Sequence, residues 1–297
     1  MMAQFADFET KALHQNKENV VAVPCPYDIE ILKALDRAQK KGICNGLLLG
    51  DTTLIAKYLR ASELKESDFA TFDIKDEQDS VDEAFKKLVS NDVQIVMKGI
   101  VHTNTFMHCL LKKKKELLSS SLVTHVVAFE IPTRGLLFVS DPSILIEPTV
   151  EQKQITIQNA ILLLQRLGVE EPKIAIISSV ETPTQTISSS WDAQILSDSF
   201  RSSQTMALVD GPLAVDNAFS LEAKEKKNIK SDVAGRADVF IVPSLDAGNI
   251  FCKGLTYIAG FPSAGILAGT TKPVILTSRS AGAEERYHSL LLALAML

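Results

Sequence analysis

The chain has 297 residues, 46% hydrophobic and 23% charged, a composition that fits an ordinary globular protein and excludes a disordered one. Its formal net charge of -5 argues against a nucleic-acid partner held by overall electrostatics, while leaving room for a local cationic pocket. Four cysteines, Cys25, Cys44, Cys109 and Cys252, stand far apart with no CxxC pair, which is neither a zinc pattern nor a disulfide framework and fits buried thiols in a reducing compartment. Residues 1–19 carry acids and lysines without an apolar core, unlike a signal peptide. No apolar run approaches the ~20 residues that span a bilayer. The expectation is a cytoplasmic protein with no membrane association, divided into two domains as chains of about this length tend to be.

Taken in order, short apolar runs recur at 20–23, 46–49, 93–97, 125–129, 136–139, 173–177, 206–209, 239–242, 265–267 and 274–276. Each is too short for a typical helix and too continuous for a half-exposed strand, so they read as strands buried on both faces. Segments of helical spacing lie between many of them: 28–40, where Ile29, Leu32 and Leu35 share a face, then 80–89 and 151–167. This alternation predicts an α/β fold of mostly parallel sheets with helices on both faces. The four-residue link Pro132–Gly135 is too short for a parallel crossover, so its flanking strands are expected to be antiparallel. A domain boundary is placed there. Residues 1–135 with 279–297 form the expected first domain and 136–278 the second; residues 283–296 read as a final helix. The lysine run 112–115 reads as a solvated helix face.

Ligands of open α/β sheets bind beyond the carboxyl ends of the strands. The residues that follow the apolar runs are Asp51, Lys98-Gly99, Ser140-Asp141, Ser178-Ser179, Asp210-Gly211-Pro212, Ser244 to Asn249, and Thr277-Ser278-Arg279. Together they suit an anionic, polar substrate. Several chemistries lose support: no GxGxxG follows the first strand, no GxxxxGK[ST] or GxSxG is present, and the five histidines form no HExxH, so neither a dinucleotide nor a metal site is indicated.

The segment Asp210-Gly-Pro-Leu-Ala-Val-Asp216-Asn217, the block Val233-Ala-Gly235-Arg-Ala-Asp238-Val, the run Ala247-Gly248-Asn249 followed by Lys253, and Thr277-Ser278-Arg279 resemble the phosphate acetyltransferase and phosphate butyryltransferase family. Met97-Lys98-Gly99 and Asp141 stand in the expected order, and TSR in place of LSRG is more similar to the butyryl branch. The resemblance implies a two-domain isopropylmalate-dehydrogenase-like fold, a homodimer, and an active site in the cleft between domains. It also implies direct acyl transfer between coenzyme A and inorganic phosphate, with acyl-CoA and acyl phosphate as the other reactants and no tightly bound cofactor.

Such chemistry needs a base for a thiol of pKa ~8.5, a donor for the developing oxyanion, and a cation for phosphate. The resemblance assigns Ser278 to polarising the acyl carbonyl and Arg279 to phosphate. Relatives that transfer acetyl groups carry an aspartate seven residues after that serine, and Glu285 stands there; the alternative is that Glu285 only serves the dipole at a helix start. Asn249 and Lys253, four apart, can share a helix face; Asn249 can cap that helix over a phosphate, and Lys253 is an anion ligand or a solvated lysine. Arg134 and Lys98 are candidates by position for the phosphates of coenzyme A. Asp210 is in the matching segment, although Asp-Gly-Pro is also a turn sequence. The chain departs from the family after Glu181, reading Thr182-Pro-Thr-Gln-Thr186. Two alternatives stand beside the butyryl reading: a phosphate acetyltransferase, and a catalytically weak acyl-CoA-binding protein on the same fold.

Overall fold

The computed structural model describes residues 4–14, 18–203 and 205–297; the N-terminal stretch read above includes residues 1–3 and 15–17, which lie outside them. The chain runs through α1 (Phe5–Leu13), β1 (Val20–Pro24), α2 (Ile29–Lys40), β2 (Asn45–Gly50), α3 (Thr52–Ala61), β3 (Ala70–Asp73), α4 (Glu77–Ser90), β4 (Ile95–Met97), α5 (Thr103–Lys112) and the short α6 (Lys114–Leu117). There follow β5 (Thr124–Ile131), β6 (Gly135–Ser140), α7 (Val150–Arg166), β7 (Lys173–Ile177), α8 (Ser188–Arg201), β8 (Leu208–Leu213), α9 (Val215–Phe219), α10 (Leu221–Lys226), β9 (Val239–Ile241) and α11 (Leu245–Lys253). The last elements are β10 (Ser263–Ala268), β11 (Val274–Ile275) and α12 (Ala283–Leu294).

Contacts divide the chain into a first unit, Ala3–Ser119 with Ser263–Leu297, and a second, Ser120–Pro262. The expected joints at 135/136 and 278/279 differ from these, for two reasons. A cut after Gly135 would sever a hairpin, because β5 and β6 pair antiparallel from Val126↔Ser140 to Ile131↔Gly135. A cut after Ser278 would remove β11 from the sheet that holds it: Val274↔Val96 and Ile275↔Met97 join it in parallel to β4.

In the first unit the strands lie in the order β11-β4-β1-β2-β3, all parallel. Val21, Val23, Leu48, Ile95 and Val96 are fully buried in it, as continuous apolar runs require when helices cover both faces. β3 is exposed along its length, which suits an edge strand and explains why Ala-Thr-Phe-Asp carries no apolar run. Helix α2 begins at Asp28, whose carboxylate accepts the N–H groups of Glu30 and Ile31, supplying the cap that an amphipathic start needs. It buries Ile31, Leu32, Ala34, Leu35 and Ala38; of the expected Ile29–Leu32–Leu35 face, Leu32 and Leu35 are buried and Ile29 is half-buried. Burying each Leu or Ile of that stripe stabilises the fold by about 1.5–3 kcal/mol relative to exposure. The C-terminal helix α12 packs on α2, α1 and β10.

In the second unit the order is β5-β6-β9-β7-β8, parallel apart from the β5–β6 hairpin. Its core gathers Phe129, Val139, Ala175, Leu213, Phe240 and Val242. Helix α7 starts at a capping box in which Thr149 and Gln152 exchange hydrogen bonds. Asp210-Gly211-Pro212, expected after a strand, lies inside β8. A bulge between Ala175 and Ile177 carries the pairing through to Leu213, and a β carbon on Gly211 would stand 2.8 Å from the Ile176 carbonyl oxygen. The absent side chain is what lets the motif continue the strand.

Candidate active site

In the first unit, β1 and β4 are neighbours, and from β1 the order continues through β2 and β3 on one side and through β4 to β11 on the other. The carboxyl ends of β1 and β4 therefore flank the point where strand order reverses, the place where open α/β sheets hold ligands. Lys98 and Gly99 leave β4 there. The Lys98 N–H donates to the Ile275 carbonyl at 3.0 Å, and the Ile100 N–H to the Cys25 carbonyl at 2.9 Å. Gly99 makes this approach possible: a β carbon on it would lie 1.9 Å from the Pro24 carbonyl oxygen and 2.6 Å from that of Cys25.

The Lys98 side chain is carried into the interior, with the residue 2% exposed. Burial, then the neighbouring charges of Arg279 and Arg286, push its ammonium down to about 8, against a weaker pull from Glu77. No hydrogen bond or ion pair of that ammonium is found among the described residues. Desolvating a cation is costly, and the Arg279 and Arg286 charges add to that cost with Glu77 as the smaller opposing charge, a positive field that an anionic ligand would complete. A small hollow of about 70 Å³ is lined by Glu77, Ile100, Val101, His102 and Arg279; the Glu77 carboxylate accepts the His102 N–H at 3.1 Å.

Ser278 and Arg279 follow β11, next to β4, and both are exposed. The Ser278 and Ser280 hydroxyls lie 3.0 Å apart, and the Ser280 N–H donates to Ser278 Oγ at 3.3 Å. Glu284, a conceivable surface partner for Arg279, instead pairs with Arg37 at 2.5 Å. Glu285 is half-buried in the first turn of α12. That helix starts at Gly282, which has no side chain to cap it; the Glu30 carboxylate of α2 takes the Ala283 N–H at 2.9 Å instead. Lys98, Ser278, Arg279 and Glu285 thus all belong to the β4–β11–α12 side of the first unit.

The remaining candidates belong to the second unit. Arg134 donates to the carbonyls of Phe219 and Ala237, each at 2.7 Å, and its guanidinium lies over the Phe219 ring; burial holds its pKa below the usual arginine value. This guanidinium ties the β5–β6 turn to the α9 region, so its position alone is no argument for a coenzyme A ligand. The Asp210 carboxylate accepts its neighbour's Gly211 N–H at 2.9 Å and stands 3.7 Å from Arg201. Asn249 does not cap its helix: Ser244 does, accepting the Ala247 N–H. Asn249 lies within α11 and donates to the Pro142 carbonyl at 3.3 Å, in a contact that Gly248 permits by leaving room beside Pro142. Lys253 is exposed at the end of α11, one turn from Asn249, with its ammonium 5.6 Å from the Tyr257 ring. Asp141 is buried and accepts the N–H groups of His125, Ser143 and Ile144, an organising role. The divergent loop 182–186 follows Glu181, whose carboxylate takes hydrogen bonds from Asn217 at 2.6 Å and Lys227 at 2.5 Å.

Sequence reasoning missed Arg286, which is 1% exposed. The available signal was its position: a cation in the first turn of a helix opposes the dipole and needs another reason to be there. Among the described residues no group of three or more His, Cys, Asp and Glu is placed to hold a metal ion, and no helix is long and apolar enough to cross a membrane.

The model of the family described as Phosphate acetyl/butaryl transferase matches residues 77–294. The chain belongs to this family and is a phosphate acyltransferase. It is 35% identical over 275 residues to a phosphate butyryltransferase of Clostridium beijerinckii, covering 92% of this chain and 91% of the relative. It is 34% identical to a phosphate acetyltransferase of Rickettsia felis over 92% of this chain and 79% of the relative. Among solved structures, a branched-chain phosphotransacylase from Enterococcus faecalis V583 superposes with a TM-score of 0.84 at 29% identity, over 94% of this chain and 98% of that one. A putative 4-hydroxythreonine-4-phosphate dehydrogenase from Salmonella typhimurium, at TM-score 0.61 and 15% identity over 94% and 100%, shares the fold alone.

Proposed function

We propose that the protein transfers a short acyl group, butyryl or a branched chain of similar size, between coenzyme A and inorganic phosphate. The observation that carries this reading is Lys98, a residue 2% exposed with no hydrogen-bond or ion-pair partner among the described residues, with the Arg279 and Arg286 charges acting on it and Ser278 in the loop that also carries Arg279. An anion that is also a reactant would occupy this positive field. Phosphate oxygen attacks the thioester carbonyl carbon, the carbon–sulfur bond breaks, and coenzyme A leaves as a thiolate that takes up a proton. Arg279 and Lys98 hold the phosphate. The Ser278 hydroxyl donates to the carbonyl oxygen as it becomes an oxyanion. Glu285 exchanges the proton with the thiol, accepting it when coenzyme A attacks acyl phosphate.

Coenzyme A enters as a substrate, and no bound cofactor takes part in these steps. Asn249 and Lys253 on α11 are proposed contacts for it, and a homodimer working in the cytoplasm is the proposed assembly. The identity to phosphate acetyltransferases keeps acetyl transfer as the second reading. The difference lies in the acyl pocket, where one methylene is worth ~1–3 kcal/mol. Thiol release from butyryl-CoA, isobutyryl-CoA and acetyl-CoA, with and without phosphate, tests both. Phosphate-dependent release fastest with the four-carbon chains supports the proposal, and fastest release from acetyl-CoA supports the rival.

A further inference from the structure

Arg286 is sealed inside the first unit, and its burial works against its charge. No carboxylate stands within ion-pair distance of it among the described residues. Asp28, Glu285 and Glu30 support the charge only through their longer-range fields. Its donors are spent elsewhere: Nη1 donates to Thr277 Oγ1 at 3.0 Å, Nε to the Ala281 carbonyl at 3.2 Å, and Nη2 makes a long contact to the Ser278 carbonyl at 3.5 Å. All three acceptors belong to the segment 277–281, which carries Ser278 and Arg279. Within that segment the Ala281 N–H also donates to the Ser278 carbonyl at 3.1 Å, and Ser278 and Arg279 are exposed. The backbone is pinned by the guanidinium, while the exposed Ser278 hydroxyl is held to Ser280. The planar guanidinium suits this task, since one rigid fork reaches several acceptors at fixed angles.

We propose that Arg286 is a positioning residue: its fork fixes the backbone of 277–281 so that Ser278 and Arg279 keep one arrangement. This rests on the reading of Ser278 and Arg279 as the acyl and phosphate groups.

The test uses the full chain and three variants: Arg286→Lys, Arg286→Met and Ser278→Ala. Phosphate-dependent thiol release is measured as kcat and phosphate KM, with activity scaled to the folded fraction. Arg286→Lys keeps the charge and loses the fork; its kcat should fall on the order of 10- to 100-fold, as misplacement of reacting groups does. Arg286→Met should show the same fall. A purely structural arginine would lower the melting temperature and leave kcat per folded molecule at the wild-type value. Wild-type kcat in Arg286→Lys, alongside a large loss in Ser278→Ala, overturns the positioning role. Full activity in Ser278→Ala instead refutes the underlying reading of the site, a distinct outcome. Should Arg286→Met fail to fold, Arg286→Lys decides the positioning role by itself.

Discussion

Replacing Lys98 with methionine separates function from stability at the centre of the proposed site. The change removes an ammonium and keeps an unbranched chain of similar reach. A hydrogen bond to a charged group is worth about 1.5–3 kcal/mol, so losing one contact to phosphate should raise the phosphate KM about 10- to 150-fold. Stability should move the other way. The wild-type residue is 2% exposed, and its unpartnered charge burdens the folded state, so the variant should melt at the same temperature or higher. The pH dependence has a definite sign. Lys98 titrates at about 8 in the fold against 10.5 ordinarily, so between those values the unfolded chain holds the extra proton and wild-type stability rises with pH. That slope should be absent from Lys98→Met. Phosphate binding should weaken as pH climbs past about 8 in the wild type, where Lys98 loses its charge, and depend less on pH in the variant. The kinetics are best followed from acyl-CoA and phosphate, a direction in which no free thiol is a substrate; denaturant unfolding at several pH values gives the stability. An unchanged phosphate KM together with a lower melting temperature would refute the reasoning and make Lys98 a structural lysine.

Three further outcomes follow from the geometry. Gly99→Ala sets a β carbon 1.9 Å from the Pro24 carbonyl oxygen. Backbone must shift, at a cost of at least about 3 kcal/mol, the upper end of the usual overpacking range; a denaturant midpoint equal to wild type would contradict the close approach. Arg134→Met removes two 2.7 Å hydrogen bonds and a ring contact, and should destabilise by about 2–4 kcal/mol while leaving the KM for acyl-CoA unchanged in the folded protein. A raised KM at unchanged stability would return Arg134 to the coenzyme A ligands. Glu285→Gln should lower kcat about 10²-fold or more when coenzyme A attacks acyl phosphate, as loss of a general base does. A change confined to about 0.3–1 kcal/mol of stability would leave Glu285 a helix-dipole residue only.

The sheets were legible because their strands are buried on both faces, which writes them as unbroken runs such as Val-Val-Ala-Val and Lys-Ile-Ala-Ile-Ile. The hairpin was legible from the length of its link alone. β3 was hidden because an edge strand exposed on every residue has no hydrophobic pattern to show. Asp210-Gly-Pro read as a turn because its local chemistry favours one, and only the bulge against Ile176 keeps it inside β8. The domain joints were misplaced because a pairing partner across the chain, Val96 for Val274, leaves no local mark. Family-like residues also divided in ways that spacing cannot reveal. Asp141, Asp216 and Asn217 are engaged in holding loops, and Arg134 spends its donors on carbonyls. Arg286, outside every motif, proved to hold the Ser278 loop because its partners are backbone carbonyls and a hydroxyl that only the fold brings within reach.

The most direct test of the account is phosphate-dependent release of coenzyme A from butyryl-CoA by the wild type and by Ser278→Ala. Release should require phosphate, exceed that from acetyl-CoA, and fall about 10²-fold or more in the variant at unchanged stability, as loss of an oxyanion donor does. Coenzyme A binding without phosphate-dependent release from either thioester would contradict it, leaving a binding protein built on the transferase fold.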